Sequence, residues 1–393
     1  MIQFDFYDDF ELTFICLEMH NIRTRKQRIN KGEILVEKSS HLNTHTKTRV
    51  LAYLREICLI LKDKGLPLNT LERKLEDFSQ ENLHFLNDYH RKIGKIRGII
   101  TPETKSAERY IKLAEDMGLL ARKERIFSLT KYGRVLEILS KKQGKNPFEL
   151  DWKEASFFLK HLLEFDTIYF FPCIFNLSKY RNLSDLSFSF KKDIISYLKN
   201  WFKTTSNEYL RERIVTIEKW TNEKRYVENL VPPRLYWCFD LRIVDLTGNG
   251  RVTYDLTQVY KTLINKLPIL ESPMHIKEWG DANFYSTFFE SYKNVHDQLA
   301  KKIRPFKDLS FSQEKSIIIP RLEKAFEKGQ KFPIPSKVLF SQFSEVTCTE
   351  LLEEGIVCEI NEIKNFIHSL SQRGEKYYLY WDPEVNDGFI RKL

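Results

Sequence analysis

The stretch SAERYIKLAEDMGLLARKERIFSLTKYGRVLEIL, residues 106–139, decides the reading of the fold. Ala107, Tyr110, Ile111, Ala114 and Met117 recur at the spacing that gathers side chains on one face of a helix. Gly118 follows as the residue that most easily takes the left-handed conformation ending a helix, so the chain can turn sharply into a strand. Ala121 to Thr130 then reads as a short hairpin with Arg122, Lys123, Glu124 and Arg125 in its charged middle, and Lys131 to Leu139 resumes helical spacing. The predicted order is helix, hairpin, helix.

Two short motifs bracket that hairpin, Met117-Gly118-Leu119-Leu120 at its entrance and Leu129-Thr130-Lys131-Tyr132-Gly133 at its exit. Together they resemble the winged helix-turn-helix superfamily, in which a recognition helix ending in an L-G-L-like turn leads into a wing that closes with L-T-x-x-G. The resemblance implies a winged helix at about Thr101–Gln143, within a segment 96–145, and a surface that meets either duplex DNA or another protein. On the DNA reading, Lys105, Ser106, Arg109 and Lys112 belong to the helix and Arg122, Lys123 and Arg125 to the wing. The cations neutralise phosphates while Ser106 or Arg109 approaches base edges. Glu108, Glu115 and Asp116 oppose them, and a solvated helix face carries such mixed charge without any function.

A second copy is expected over Val231–Leu267, with Pro232-Pro233 at its start. Leu241-Arg242-Ile243-Val244 stands where Met117-Gly118-Leu119-Leu120 stood, Thr247-Gly-Asn-Gly250 makes a hairpin turn, and Leu256-Thr257-Gln258-Val259-Tyr260 closes the wing without the expected glycine. Arg234, Arg242 and Arg251 are its candidate DNA contacts, although Tyr236, Trp237 and Phe239 make the helix more apolar than a groove reader and favour burial or protein contact. A third copy is the reading of the tail, with a helix over Asn361–Gln372 and strands over Lys376–Asp382 and Gly388–Lys392.

The fold class expected from these copies is mainly α with small β-hairpin wings, several winged-helix modules joined by helical layers. The segments are 1–95 with a basic arm and helices, 96–145 and 231–270 for the first two modules, 146–230 as an apolar helical middle, 271–330 as a helical connector, and 331–393 as the third module. Helices are expected at Thr48–Asp63, Asn69–Tyr89 and Lys191–Trp220, and Phe157, Leu159, Leu162, Leu163 and Phe170 should be core. In the arm, Arg23, Arg25, Lys26 and Arg28 suit either a flexible basic segment tracking a DNA backbone or a solvated linker.

Composition bounds the function. At 42% hydrophobic residues the 393-residue chain can bury substantial cores, and its net charge of +9 mildly favours polyanionic partners. No apolar run approaches the roughly 20 residues of a membrane span, and the acidic start does not read as a secretory signal, so no membrane partner and a cytoplasmic location are expected. Six scattered cysteines without a C-x-x-C pair suit reduced thiols, and no structural metal or cofactor is expected. His41 and His45 sit four apart but lack a third ligand. Glu362-Ile-Lys364 has the E-x-K spacing of a restriction-type nuclease, but on helical periodicity, whereas that site needs strands. With no nucleophile elbow, phosphate loop or dinucleotide fingerprint, no catalytic residue is assigned. The expectation is a non-catalytic duplex-DNA-binding protein, acting as a transcription regulator or as a subunit of a prokaryotic DNA-processing or defence (restriction-type) assembly. The alternatives are a protein-protein scaffold built from winged helices and a nuclease with a dispersed metal-dependent site.

Overall fold

Helical spacing in the sequence becomes helix almost throughout, and the strands are short pieces that close each helical group. The computed structural model describes residues 41–62, 64–89, 99–140, 146–205, 208–248, 252–268, 273–300, 302–329, 337–382 and 387–392. These fall into two compact units, one of 38–309 with 345–363 and the other, among the described residues, of 310–344 with 364–392. The expected segment boundaries at 95, 145, 230 and 270 therefore lie inside the first unit. The class is mainly helical with small sheets, α+β.

The first unit opens with α1 (Ala52–Ile60), β1 (Leu66–Pro67), α2 (Leu68–Glu81), α3 (Leu83–Tyr89) and α4 (Ser106–Asp116), followed by β2 (Leu120–Lys123), β3 (Ile126–Leu129) and α5 (Lys131–Leu139). The hairpin is where residues 117–133 placed it, with Leu120 opposite Leu129 and a tip at Glu124 and Arg125. The sheet nevertheless draws on residues well before Thr101. β1 adds to the outer edge of β3, Leu66 opposite Phe127, giving the antiparallel order β1-β3-β2. Tyr53 of α1 packs against Tyr110 of α4 at 4.8 Å and against Phe148 at 5.4 Å.

The same order recurs. After α6 (Trp152–Phe165) come α7 (Phe170–Asn176), a single bridge of Asn182 to Thr253 in the place of β1, α8 (Leu183–Thr205), α9 (Glu208–Glu218), α10 (Glu223–Asp240), the hairpin β4 (Val244–Thr247) and β5 (Thr253–Leu256), and α11 (Gln258–Ile264). α12 (Pro273–Tyr292) follows, and β6 (Arg304–Pro305) pairs in parallel with β8 (Ile356–Val357). The last group has α13 (Phe311–Gly329), β7 (Lys337–Leu339), α14 (Phe340–Glu353), α15 (Ile360–Gln372), β9 (Tyr377–Asp382) and β10 (Asp387–Lys392), with sheet order β7-β10-β9. Glu362 and Lys364 lie on α15, not on paired strands.

One joint explains the repetition. At the end of α4, Gly118 takes φ +69° and the Leu119 N–H donates to the Ala114 carbonyl at 2.9 Å, the 6→1 bond of a left-handed helix end. The Thr130 N–H then donates to the Leu119 carbonyl, its hydroxyl donates to the Gly118 carbonyl, and its oxygen accepts the Gly133 N–H, so one threonine ties helix end, hairpin and next helix. After α10, Arg242 takes φ +56°, Ile243 N–H donates to Cys238, and Thr257 donates to the Arg242 carbonyl at 2.7 Å while accepting from Tyr260 N–H. α15 ends likewise at Gly374, φ +71°, with Glu375 N–H on Leu370.

Two expectations need correction. Pro232-Pro233 does not start a module but lies inside α10, buried like the rest of residues 231–238. A proline at 233 leaves the Asn229 carbonyl without its intrahelical donor, and the Thr44 hydroxyl donates to that carbonyl instead. The second concerns the chain that leads from the basic arm into α1: the arm residues Arg23, Arg25, Lys26 and Arg28 lie outside the described residues, but residues 42–51 are anchored rather than a free linker. Leu42 N–H donates to Asp166, Trp237 Nε1 to the Thr48 carbonyl at 3.0 Å, and Leu51 N–H to Asp240 at 2.7 Å. The apolar middle is core as expected: Phe157, Leu159, Leu162, Leu163 and Phe170 are all 5% exposed or less. Among the described residues no helix is long and apolar enough to cross a membrane.

Candidate nucleic-acid interface

α4 owes its position to Tyr110. That side chain is buried on the inner face, and its hydroxyl accepts the N–H groups of Arg49 and Val50, both at 2.9 Å. The 45–49 turn is thereby held beside the helix, closed by Thr48, which donates to the His45 carbonyl. Lys47 donates to the Thr104 carbonyl just ahead of α4. On the other side, the first turn of α10 is capped by Asn222, which accepts the Arg225 N–H, and Asn229 of the same helix accepts the Thr46 N–H at 3.2 Å.

These contacts gather cations around His45. Burial, then the charges of Arg109 on α4, Lys47 on the turn and Arg225 on α10, hold its imidazole below the usual histidine range. Arg109, Lys47 and Arg225 are exposed, and none has a carboxylate within ion-pair distance among the described residues. Arg49 is half-buried, with its guanidinium 5.0 Å over the Tyr236 ring. Acidic groups collect on a different flank of α4, where burial, Glu108 and Glu76 together raise the Glu72 carboxyl. An anion is favoured at the Arg109 flank and opposed at the Glu108 flank.

Of the other sequence-derived candidates, Lys105, just ahead of α4, and Lys112 on it are exposed, but Lys112 is 3.7 Å from Asp116 and Lys105 acts on Glu72. Ser106 is a correction: it is 3% exposed and its hydroxyl donates to Thr104, so it supports the start of the helix and cannot reach a base edge. On the hairpin, Arg122 and Arg125 are exposed and Lys123 is half-buried. Arg122 donates to the Glu124 carbonyl and stacks 5.5 Å over Phe127.

Arg234 is the second correction. It has no exposure and forms a two-pronged pair with Asp166 at 2.7 and 2.8 Å, with Leu42, Thr44 and Leu230 taking its remaining hydrogens. A buried guanidinium must be paired in this way, so Arg234 is an internal brace and not a DNA contact. Arg242 is exposed, but it serves as the left-handed helix end and reaches the Val295 carbonyl. Arg251, Arg23, Arg25, Lys26 and Arg28 lie outside the described residues.

His41 and His45 enter different surroundings. His41 meets the Tyr209 hydroxyl at 2.9 Å and Arg213, and burial with Arg213 and Arg234 lowers it to about 4. Among the described residues no group of His, Cys, Asp and Glu is arranged to hold a metal. The main buried charge cluster is Lys160 with Glu164 at 2.6 Å, Glu345 at 3.5 Å and Asp281 at 3.9 Å. Burial pushes Glu345 up to about 7 against the pull of Lys160. The pocket beside it, lined by Ser156, His161 and Tyr285, has room for little more than a water molecule.

Arg225 is not apparent as a site residue from the sequence because 221–230, within the expected apolar middle 146–230, falls between the helix expected to end at Trp220 and the module expected from Val231. The signal was present, since Asn222 precedes Glu223 as an N-cap. No protein-family model, no curated protein and no solved structure matches the chain.

Proposed function

We propose that this chain is a non-catalytic duplex-DNA-binding protein built from three winged-helix repeats. The repeat is supported by the helix, short strand, helices and hairpin that occur three times, each with the strand after the turn in the middle. The observation that carries the function is the cation group of Arg109, Lys47 and Arg225 around His45. Arg109 and Arg225 sit on equivalent helices, α4 and α10, each the last before its hairpin. Three exposed cations on one flank, none with a carboxylate within ion-pair distance among the described residues, suit phosphates, and the exposed wing residues Arg122 and Arg125 offer further cations on the hairpin that follows α4.

Duplex binding measured at low and at moderate salt tests this. Three phosphate contacts predict about 40-fold weaker binding at a fourfold higher salt concentration, from a slope of about 0.9 per contact. Binding that is absent at low salt, or present and insensitive to salt, overturns the proposal in favour of a protein-binding scaffold.

A further inference from the structure

The outer face of the β7-β10-β9 sheet carries two cations and three aromatic rings in two adjacent rows. Lys337, Arg391 and Tyr378 stand side by side across the three strands, and Leu339, Phe389 and Tyr380 form the neighbouring row. The inner face carries Tyr377, Leu379 and Ile390, each 4% exposed or less, so the sheet is one-sided. Tyr378 and Tyr380 are 45% and 50% exposed, which is unusual for large rings two residues apart on one strand. The Lys337 ammonium lies 5.8 Å from the Phe389 ring and the Arg391 guanidinium 5.8 Å from the Tyr380 ring. Neither cation has a carboxylate within ion-pair distance among the described residues. Asp387, at the far end of the same face, is occupied by Ser341 and the Gly388 N–H.

We infer that this face binds single-stranded nucleic acid, stacking unpaired bases on Tyr378 and Tyr380 while Lys337 and Arg391 meet the phosphates. The two tyrosines are about 7 Å apart along the strand, so each ring can take a separate base. Every base offers a π-face, so stacking of this kind needs no particular sequence. The charge complementarity argues for a polyanion over an apolar protein segment, because two cations without a carboxylate partner among the described residues would be desolvated beneath a protein partner. The inference goes beyond duplex binding and rests on a different surface.

The test uses the full chain and fluorescein-labelled oligodeoxythymidine, read by anisotropy, beside a labelled duplex. Wild type is expected to bind the oligonucleotide, and Tyr378→Ala with Tyr380→Ala to weaken that binding by about tenfold or more with duplex affinity unchanged. The paired Tyr→Phe variant keeps the stacking face and is expected to retain binding, which separates stacking from loss of fold. Absence of oligonucleotide binding in wild type, or equal binding by the Ala variant, overturns this inference alone. Loss of duplex binding in wild type overturns the earlier proposal instead.

Discussion

His45 is the residue at which the electrostatics of the basic surface can be read directly. Its imidazole is held below the ordinary range by burial and by Arg109, Lys47 and Arg225, so it is neutral near pH 7. Phosphates drawn to those cations would offset them and favour the protonated imidazole. Binding then takes up a proton, and affinity rises as pH falls through the histidine range. The expected outcome is duplex affinity that tightens from pH 7.5 to pH 5.5, by at most about tenfold per pH unit for one proton, relative to a His45→Gln variant. Parallel pH profiles for the two proteins would remove His45 from the surface. Arg234 teaches the opposite lesson at the same scale, because an arginine in a helix can be entirely internal. Its partner Asp166 is 68 residues away, and no local pattern announces such a pair.

At the scale of elements, the helix-to-hairpin joint sets the repeat. Gly133 approaches the Leu119 carbonyl so closely that an added Cβ would lie 2.2 Å from that oxygen. Arg242, by contrast, holds a left-handed conformation that glycine would adopt without strain. Chemical denaturation should therefore show Gly133→Ala losing stability by roughly 2 kcal/mol or more, whereas Arg242→Gly gains up to about 1 kcal/mol. A tolerated Gly133→Ala would mean that the Thr130 joint does not lock the hairpin to α5. The joint after α4 was legible in the sequence because glycine, threonine and a charged tip leave local marks. The tail was legible too: strands expected over Lys376–Asp382 and Gly388–Lys392 occur as Tyr377–Asp382 and Asp387–Lys392. Leu66–Pro67 and the Asn182 bridge were not, since one or two residues of strand have no period to detect. Pro232-Pro233 misled because prolines usually interrupt helices, and the compensating donor, Thr44, is remote in sequence.

For the whole molecule, a net charge of +9 says little, since charge of that size serves solubility as well as binding. Its distribution says more. In the unit of 38–309 with 345–363, Arg109, Lys47 and Arg225 share one flank while Glu72, Glu76 and Glu108 share another. The sequence alone could nominate Arg109, but not its meeting with Arg225, because that depends on residues 41–51 being laced between α4 and α10. The central claim is that the equivalent helices of two repeats hold one duplex together. Duplex affinity against salt, for wild type, Arg109→Ala, Arg225→Ala and the double variant, tests it most directly. Each single substitution should flatten the plot of log affinity against log salt by about 0.9, and the double substitution by about 1.8. Slopes equal to wild type in both single variants, with helix content intact by circular dichroism, would contradict the claim.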